Sequence, residues 1–169
     1  MSLQKTGVKR RFLNIAAMRK RLPNGHMVHL EMVKHPGAVV IVPFLTKDTV
    51  IVLRQYRPVI SRFIYELPAG TLERGERPLA CARRELQEET GYAARMMKRI
   101  GAIYPVPGYS TERLFLFRAE DLSPVAVSCE DDEFIQPRVF TRPQIRTLFQ
   151  SGKLNDAKTI CGFALCGWL

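Results

Sequence analysis

The sequence has no apolar run long enough for a bilayer-spanning helix, which needs about 20 such residues, although 46% of its 169 residues are hydrophobic. Lysine and arginine also interrupt the first thirty residues at seven positions. Such a segment lacks the continuous apolar core of a secretory signal peptide. We therefore expect no contact with a membrane and a cytoplasmic location.

Cysteine is scarce and follows no motif: the four cysteines stand at positions 81, 129, 161 and 166, and no two of them form a Cys-x-x-Cys pair. Without such pairs and without a secretory context, neither a disulfide framework nor a structural zinc site is expected. We interpret the cysteines as reduced and mostly packed thiols. Internal repeats and low-complexity tracts are also missing, and the length allows a sizeable hydrophobic core.

Acidic residues are rare in residues 1 to 60, where eleven lysines and arginines face only Glu31 and Asp48. This segment carries almost all of the net charge of +10. Attraction of a phosphate-bearing ligand is one interpretation, and solubility or contact with an acidic neighbour is another. Nucleic-acid binding is the least favoured interpretation because the basic residues do not alternate with stacking aromatics.

Turn-forming residues divide the chain into short strands and a few helices. Asn24-Gly25 predicts a hairpin within residues 11 to 34, because this dipeptide adopts the positive φ angles of a tight turn. Pro68-Ala69-Gly70 is expected to end a strand. The predicted strands are residues 38–45, 50–55, 62–67, 97–104, 113–118 and 138–140, and the predicted helices are residues 78–90, 142–150 and 156–168. The pattern indicates an α/β (α+β) fold.

The hydrophobic period changes to that of a helix at residues 78 to 90. Pro78 suits the first helical position and Gly91 suits the residue after the last one. Leu79, Ala82 and Leu86 recur at helical spacing, and we predict that they form the buried stripe of this helix.

Three glutamates, Glu85, Glu88 and Glu89, project from the adjacent face of the same helix. Like charges at this spacing destabilise an isolated helix by ~0.2–0.5 kcal/mol per pair, and Arg84 can neutralise only part of the cluster. Taken alone, the three residues are most simply interpreted as a solvated acidic face. A divalent cation such as Mg²⁺ is the alternative, because it prefers carboxylate oxygens and completes its shell with water and phosphate.

The surrounding residues favour the cation. Five residues separate Gly70 from Glu76, seven separate Glu76 from Arg84, and the run Arg84-Glu85-Leu86-Gln87-Glu88-Glu89-Thr90-Gly91-Tyr92 follows. This arrangement resembles the Nudix box position by position, with Tyr92 where the family usually has an aliphatic residue. The resemblance implies the Nudix fold, a mixed β-sheet sandwiched between helices, and metal-dependent hydrolysis of a nucleoside diphosphate linked to another group.

The resemblance also implies a metal site. Glu85 and Glu89 would be the main ligands of Mg²⁺ or Mn²⁺, Glu88 would be a direct or water-mediated ligand, and the backbone carbonyl of Ala69 would be a further one. Arg84 would orient the carboxylates.

Outside the box, the chain resembles the ADP-ribose pyrophosphatase branch of the Nudix hydrolases over nearly its full length. The matching segments are Gln55-Tyr56-Arg57, Glu66-Leu67-Pro68-Ala69-Gly70, residues 107–113 and Asp156-Ala157-Lys158-Thr159. Pro107, sixteen residues after Gly91, stands at the position that marks this branch. The resemblance implies hydrolysis of ADP-ribose to AMP and ribose 5-phosphate.

Two other functions remain open. A hydrolase of other nucleoside diphosphate sugars, such as GDP-mannose, would share the metal helix and differ in its base and sugar pockets. A non-catalytic nucleotide-binding Nudix sensor is less favoured, because idle members of the family usually lack one of the box acids and this chain keeps all three.

The same branch resemblance assigns substrate contacts. Arg57 would contact the diphosphate, since a guanidinium can donate two parallel hydrogen bonds. Glu112 would bind ribose hydroxyls, because a carboxylate can accept from both oxygens of a cis-diol. Phe12 and Glu31 are candidates for the adenine side.

The branch pairs as homodimers that exchange their amino-terminal strands. Residues 1–37 would accordingly form an antiparallel β arm for dimerisation, and residues 38–169 would form the Nudix hydrolase domain. Glu112 would then serve the site of the partner subunit.

The resemblance further implies a general base in an acidic loop well after the box, and residues 130–133 are the segment that fits. Alignment on the following Phe134-Ile135 favours Glu133, with Glu130 as the second candidate, while a merely solvated turn is the alternative. If the loop carries no base, Glu88 and Glu112 are the next candidates. The histidines at positions 26, 29 and 35 receive no role.

Overall fold

The computed structural model describes residues 14–126 and 134–169, and these residues contain nine strands and three α-helices. The strands are β1 (Asn14–Arg21), β2 (Met27–Lys34), β3 (Ala38–Thr46), β4 (Thr49–Arg57), β5 (Arg62–Glu66), β6 (Ala69–Thr71), β7 (Tyr92–Ile103), β8 (Leu114–Pro124) and β9 (Ile135–Thr141). The helices are α1 (Pro78–Thr90), α2 (Arg142–Gln150) and α3 (Ala157–Leu165).

Seven of the described strands form one mixed sheet. Its order is β5-β4-β3-β8-β7, with β6 beside β3 and β9 beside β4. Strands β3 and β8 run parallel, while the other neighbours run antiparallel. The amino-terminal part of β3 pairs with β6 and its carboxyl-terminal part pairs with β4, so β3 organises the whole sheet.

Alternation along β3 separates two layers of core. Val39 and Ile41 pack with the buried side of α1, whereas Val40 and Val42 pack with residues of α2 and α3. All four side chains are completely buried, as expected for a strand in the middle of a sheet that is covered on both faces. The predicted mixed sheet between helices is confirmed.

Helix α1 has the bounds that its sequence predicted. Pro78 is in the first turn, and Gly91 ends the helix with a φ of 75° and an N–H that donates to the Gln87 carbonyl at 2.9 Å. A residue with a side chain would be strained in this left-handed conformation. The predicted stripe was partly wrong, because Leu79 is 44% exposed and Cys81 is buried beside Ala82 instead.

Strands β1 and β2 form a separate two-stranded antiparallel sheet, and we call residues 14–34 the arm. Its turn is wider than a two-residue turn: only Gly25 has a positive φ, of 87°, and the Leu22 N–H donates to the His26 carbonyl at 2.8 Å. The end of the arm joins the body through Val33, which exchanges backbone hydrogen bonds with Tyr109 and Thr111 at 2.8 and 3.0 Å.

Several strand boundaries differ from the predictions. The strand before Pro68-Ala69-Gly70 ends as expected, at Glu66, but residues 69–71 then form the short strand β6 because β3 offers them antiparallel partners. Strand β7 begins at Tyr92 rather than at residue 97, because β8 continues to Pro124 and pairs with its start. Strand β9 runs through Pro137, which is tolerated because, in the described chain, this strand pairs with β4 alone. No helix among the described residues is long and apolar enough to cross a membrane.

Candidate active site

A cleft of about 970 Å³ lies between the acidic face of α1 and the ends of several strands. Its wall contains residues of β3, β4, β6, α1, β8 and β9 and one residue from the first turn of α3. Seven residues predicted for the site line this cleft together: Arg57, Ala69, Arg84, Glu85, Glu88, Glu89 and Glu112. Residues that are far apart in the sequence thus meet in one cavity.

Arg84 is the centre of the carboxylate cluster on α1. Its guanidinium donates to Glu76 through Nε and Nη2, both at 3.1 Å, and through Nη1 to Glu85 at 2.7 Å and Glu88 at 3.0 Å. One cation therefore holds three carboxylates in place. This contact pattern agrees with the predicted orienting role of Arg84.

Glu76 connects the loop before α1 to this cluster. Its Oε2 accepts from the Glu73 N–H at 3.0 Å in addition to the Arg84 donors. The hydrogen bonds from Arg84 lower the pKa of Glu76 from 4.5 to about 2. The hydrogen bonds between Glu76 and Arg84 also raise the pKa of Arg84 further above its ordinary value.

Cys81 lies on the buried side of α1. Burial raises the pKa of its thiol to about 12, so this thiol is protonated at neutral pH.

Gly70 lets the loop approach α1 closely. A Cβ atom at this position would overlap the carboxylate of Glu85. The next contact along the loop fixes it to the helix, because Glu89 Oε2 accepts from the Ala69 N–H at 2.9 Å. Strand β6 and the acidic face of α1 are therefore held side by side.

The donor atoms on this face are of the chemical type that a hard divalent cation prefers. Carboxylate and carbonyl oxygens are the donors that Mg²⁺ and Mn²⁺ prefer. Within the part of the chain that the structure describes, however, no three acidic, histidine or cysteine side chains converge at metal-binding spacing. The reason is that Glu85 and Glu88 point to Arg84 and Glu89 points to the Ala69 amide. A bound ion would have to take over some of these contacts.

A buried ion cluster formed by Glu66, Arg57, Lys158 and Asp156 adjoins the cleft. Glu66 at the end of β5 has a side chain that is 1% exposed, and it accepts from Arg57 Nε at 2.6 Å and from Arg57 Nη2 at 2.7 Å. Lys158 also donates to Glu66, and its Nζ lies 3.0 Å from Asp156 Oδ1. Burial of the Glu66 carboxylate opposes its ionisation, but the hydrogen bonds and charges of Arg57 and Lys158 outweigh this effect and lower the pKa of Glu66.

Glu112 reaches the cleft from the loop before β8. Its Oε1 lies 3.8 Å from Nε2 of His35. His35 Nδ1 accepts from the Gly37 N–H at 3.1 Å, so in the neutral imidazole the proton is on Nε2, the nitrogen that faces Glu112. At 3.8 Å the two groups are neighbours but do not form a hydrogen bond.

Two predicted site residues of the described chain do not line this cleft. Glu31 is exposed on β2, and Pro107 is exposed on the loop between β7 and β8. The calls on Phe12, Glu130 and Glu133 fall outside the described residues.

Three neighbours of the site were not assigned a role from the sequence: Glu66, Lys158 and His35. Glu66 and Lys158 stand within segments that were recognised as matching the branch, so their position in those motifs was the available signal. A single histidine next to the predicted arm offered no comparable signal.

Comparison with known proteins identifies the family of the chain. The NUDIX domain family matches residues 34–163, which include the cleft and all of α1. The mixed sheet between helices, the acidic helix and the matching box are together the features of a Nudix domain. The chain belongs to the Nudix family.

Several characterised proteins are similar to this chain in sequence. The chain is 41% identical to the ADP-ribose pyrophosphatase of Bacillus subtilis over 140 residues, which are 82% of this chain and 76% of that protein. It is 35% identical to the methanol dehydrogenase activator of Bacillus methanolicus over 141 residues, again 82% and 76% of the two chains. Among the others, the GDP-mannose pyrophosphatase of Salmonella typhimurium is 32% identical over 73% of this chain and 69% of its own.

Solved structures share the fold. The crystal structure of an ADP compounds hydrolase superposes with a TM-score of 0.81 and covers 96% of this chain and 89% of that chain at 22% identity. This likeness shows that the two chains have the same fold.

Proposed function

We propose that the protein hydrolyses the diphosphate bond of ADP-ribose, giving AMP and ribose 5-phosphate, in the presence of Mg²⁺ or Mn²⁺. The observation that carries this proposal is that the glutamates of α1 and the guanidinium-bearing Arg57 line one and the same cleft. A metal-bound diphosphate needs both features, because carboxylates hold the cation and a guanidinium binds phosphate oxygens. The similarity to the Bacillus subtilis enzyme supports ADP-ribose as the substrate.

Within this proposal, Glu85 and Glu89 hold the cation, with Glu88 and the Ala69 carbonyl as further ligands. The ion, when bound, would polarise the phosphoryl oxygens and offset charge on the leaving phosphate. Arg84 positions the glutamates, and it already bonds Glu85 and Glu88. Glu112 accepts hydrogen bonds from the ribose hydroxyls.

The proposed general base is Glu133, with Glu130 as the second candidate. Neither residue belongs to the described part of the chain, but Ile135 and Pro137, which follow shortly after, line the cleft. A base must come within hydrogen-bond reach of the attacking water. Residues 130–133 directly precede these lining residues in the sequence, and this position supports Glu133 or Glu130 as the base.

We further propose that the protein works as a homodimer in which residues 1–37 reach the partner subunit and residues 38–169 form the hydrolase domain. The arm exposes apolar side chains, including Met18 and Leu30, which are 39% and 41% exposed. Glu31 lies on the same arm, and we propose that exchange of the arms brings it to the adenine side of the partner's cleft, with Phe12 and Pro107 as further candidates for substrate contact. An isolated two-stranded hairpin is marginally stable, which favours such packing.

A nucleoside diphosphate sugar with another base is the second candidate substrate. The similarity to a GDP-mannose pyrophosphatase favours it, and the carboxylates and cations of the cleft would suit it equally well. These two hypotheses differ only in contacts to the base and the sugar.

The test is a panel assay on the purified full-length protein. ADP-ribose, GDP-mannose, ADP-glucose and NAD are each incubated with Mg²⁺ or Mn²⁺, and the products are separated by ion-exchange chromatography. The proposal expects AMP and ribose 5-phosphate in equal amounts and the highest kcat/KM for ADP-ribose. Preferred hydrolysis of GDP-mannose would replace the first candidate by the second, and binding of ADP-ribose without any product would indicate a sensor.

A further inference from the structure

We propose that Lys158 is a second cation that binds the substrate diphosphate beside Arg57, and that the buried carboxylate of Glu66 is the positioning residue that orients both. This inference rests on the proposed function, since it names further residues for the same substrate. The branch resemblance gave Lys158 and Glu66 no role, and their positions in the fold supply the argument.

The three side chains come from three different elements. Arg57 is the last residue of β4, Glu66 is the last residue of β5, and Lys158 stands in the first turn of α3. The Arg57 guanidinium binds Glu66 in a bidentate manner, and Lys158 donates to Oε2 of the same carboxylate. One buried anion therefore fixes the positions of two cations.

The cations face the cleft and their anions lie behind them. Arg57 and Lys158 line the cavity, whereas Glu66 and Asp156 do not belong to its wall. The cluster of four is neutral in sum, but its positive ends point to the cavity. An anion that enters the cleft would therefore meet these two cations and not the anions that hold them.

Lys158 is held by its backbone as well as by its side chain. Asp156 caps α3 by accepting from the Thr159 N–H at 3.0 Å and from the Thr159 hydroxyl at 2.6 Å. The Thr159 hydroxyl in turn accepts from the Leu67 N–H at 2.8 Å, next to Glu66. Such fixed contacts lower the entropic cost of placing a long side chain at the ligand.

The geometry of the ammonium leaves a place for a ligand. An ammonium group has three N–H donors. In the described chain, Glu66 and Asp156 account for two contacts of the Lys158 ammonium, and this side chain is 18% exposed. The third direction is available to a phosphate oxygen in the cleft that Lys158 lines.

A structural role alone is the competing explanation, because Lys158 also helps to neutralise a buried carboxylate. Removal of one partner from a buried ion cluster is destabilising whatever its function. A single substitution of Lys158 therefore does not separate the two roles. Substitution of Glu66 in the same molecule removes the need for neutralisation and does separate them.

The experiment uses the full-length protein with four variants: Lys158→Gln, Lys158→Arg, Glu66→Gln and the double variant Glu66→Gln with Lys158→Gln. Lys153→Gln is the matched control, since Lys153 is exposed, carries the same charge and precedes α3. KM and kcat for ADP-ribose are measured with Mg²⁺. Binding of inorganic pyrophosphate with Mg²⁺ is measured by calorimetry.

We expect Lys158→Gln to raise both KM and the pyrophosphate Kd about tenfold or more, the change expected for one lost charged hydrogen bond. Lys158→Arg should keep part of the affinity. In the Glu66→Gln background the loss of Lys158 should again raise KM and Kd severalfold, and the control should match the parent. Glu66→Gln alone should raise KM and leave kcat within about threefold, as a positioning residue for substrate-binding groups would.

The inference is overturned if the double variant has the same KM and pyrophosphate Kd as Glu66→Gln alone. Lys158 would then serve only to neutralise Glu66. Failure of the proposed function gives a different result, because a parent protein that hydrolyses none of the nucleotides can still lose pyrophosphate affinity when Lys158 is replaced. An unchanged pyrophosphate Kd in both backgrounds would reject Lys158 whatever the substrate is.

Discussion

At the scale of single residues, the acidic face of α1 depends on a missing side chain. Gly70 has no Cβ where the loop passes the Glu85 carboxylate, and Ala69 is bonded to Glu89 by its amide. The box pattern includes a glycine at this position, and the packing shows the physical reason, since a Cβ atom would overlap the Glu85 carboxylate. The loop and two of the proposed metal ligands occupy one tightly fitted volume.

Gly70→Ala should therefore displace the Glu85 carboxylate and reduce turnover at least about tenfold, while the free energy of unfolding should change little, because only the end of a flexible side chain has to move. Gly101→Ala is the control, because a Cβ there would meet only the exposed end of Leu165 at 3.0 Å. Initial rates and urea unfolding check both variants. Parent-like rates for Gly70→Ala would contradict the close packing of loop and helix.

Glu76 makes stability depend on pH in acid. Its pKa in the folded protein is about 2, below the ordinary value of 4.5. A lowered pKa adds stability that is present above the ordinary value and is lost as the pH falls through the folded value. Urea unfolding at several pH values should show this loss between pH 4.5 and pH 2. The Glu76→Gln variant should be less stable at neutral pH and should depend less on pH in this window, and equal slopes would refute the assignment.

The general base is a separate question at the same scale. If Glu133 is the base, Glu133→Gln should lower kcat about 100-fold or more and leave KM nearly unchanged, because the lost contact belongs to the transition state. If Glu130 holds the role, its Gln variant should show that pattern. Steady-state kinetics of both variants and of the double variant distinguish the cases. Parent-like kcat in all three would direct the search to Glu88 and Glu112.

At the scale of elements, the predictions were best where local chemistry sets the boundaries. Helices α1 and α2 begin and end as predicted, because Pro78, Gly91 and the Thr141–Gln144 capping box act within a few residues. Strand β6 and the first part of β7 were missed, because they form only through pairing with distant strands. Short strands of this kind carry little local signal.

The arm exposes several large apolar side chains to solvent. Alternation in its register places Ala16, Met18, Val28, Leu30 and Met32 on one face. If this face packs in a homodimer, Met18→Asp with Leu30→Asp should give a monomer in light scattering and should lower activity. His29→Asp on the opposite face is the control and should stay dimeric. A parent protein that is monomeric and active would remove the proposed exchange of arms.

At the scale of the whole molecule, the fold joins two charged clusters that the sequence keeps apart. Glu66 and Lys158 are 92 residues apart and yet bonded, and Lys158 lines the same cleft as the glutamates of α1. The box spacing predicted the acidic half of the site because one helix holds it. The basic half depends on the meeting of β4, β5 and α3, and no local pattern encodes that meeting.

In the proposed reaction, the acidic face of α1 binds the cation on which diphosphate hydrolysis depends. This dependence is tested by the initial rate of ADP-ribose hydrolysis as a function of Mg²⁺ concentration, for the parent and for Glu89→Gln. We expect no rate in excess chelator, a saturable rise with Mg²⁺ in the parent, and a rate lower by about two orders of magnitude or more in the variant, which loses a ligand charge but little volume. A variant that reaches the parent rate at saturating Mg²⁺ would show that the acidic face of α1 does not hold the ion.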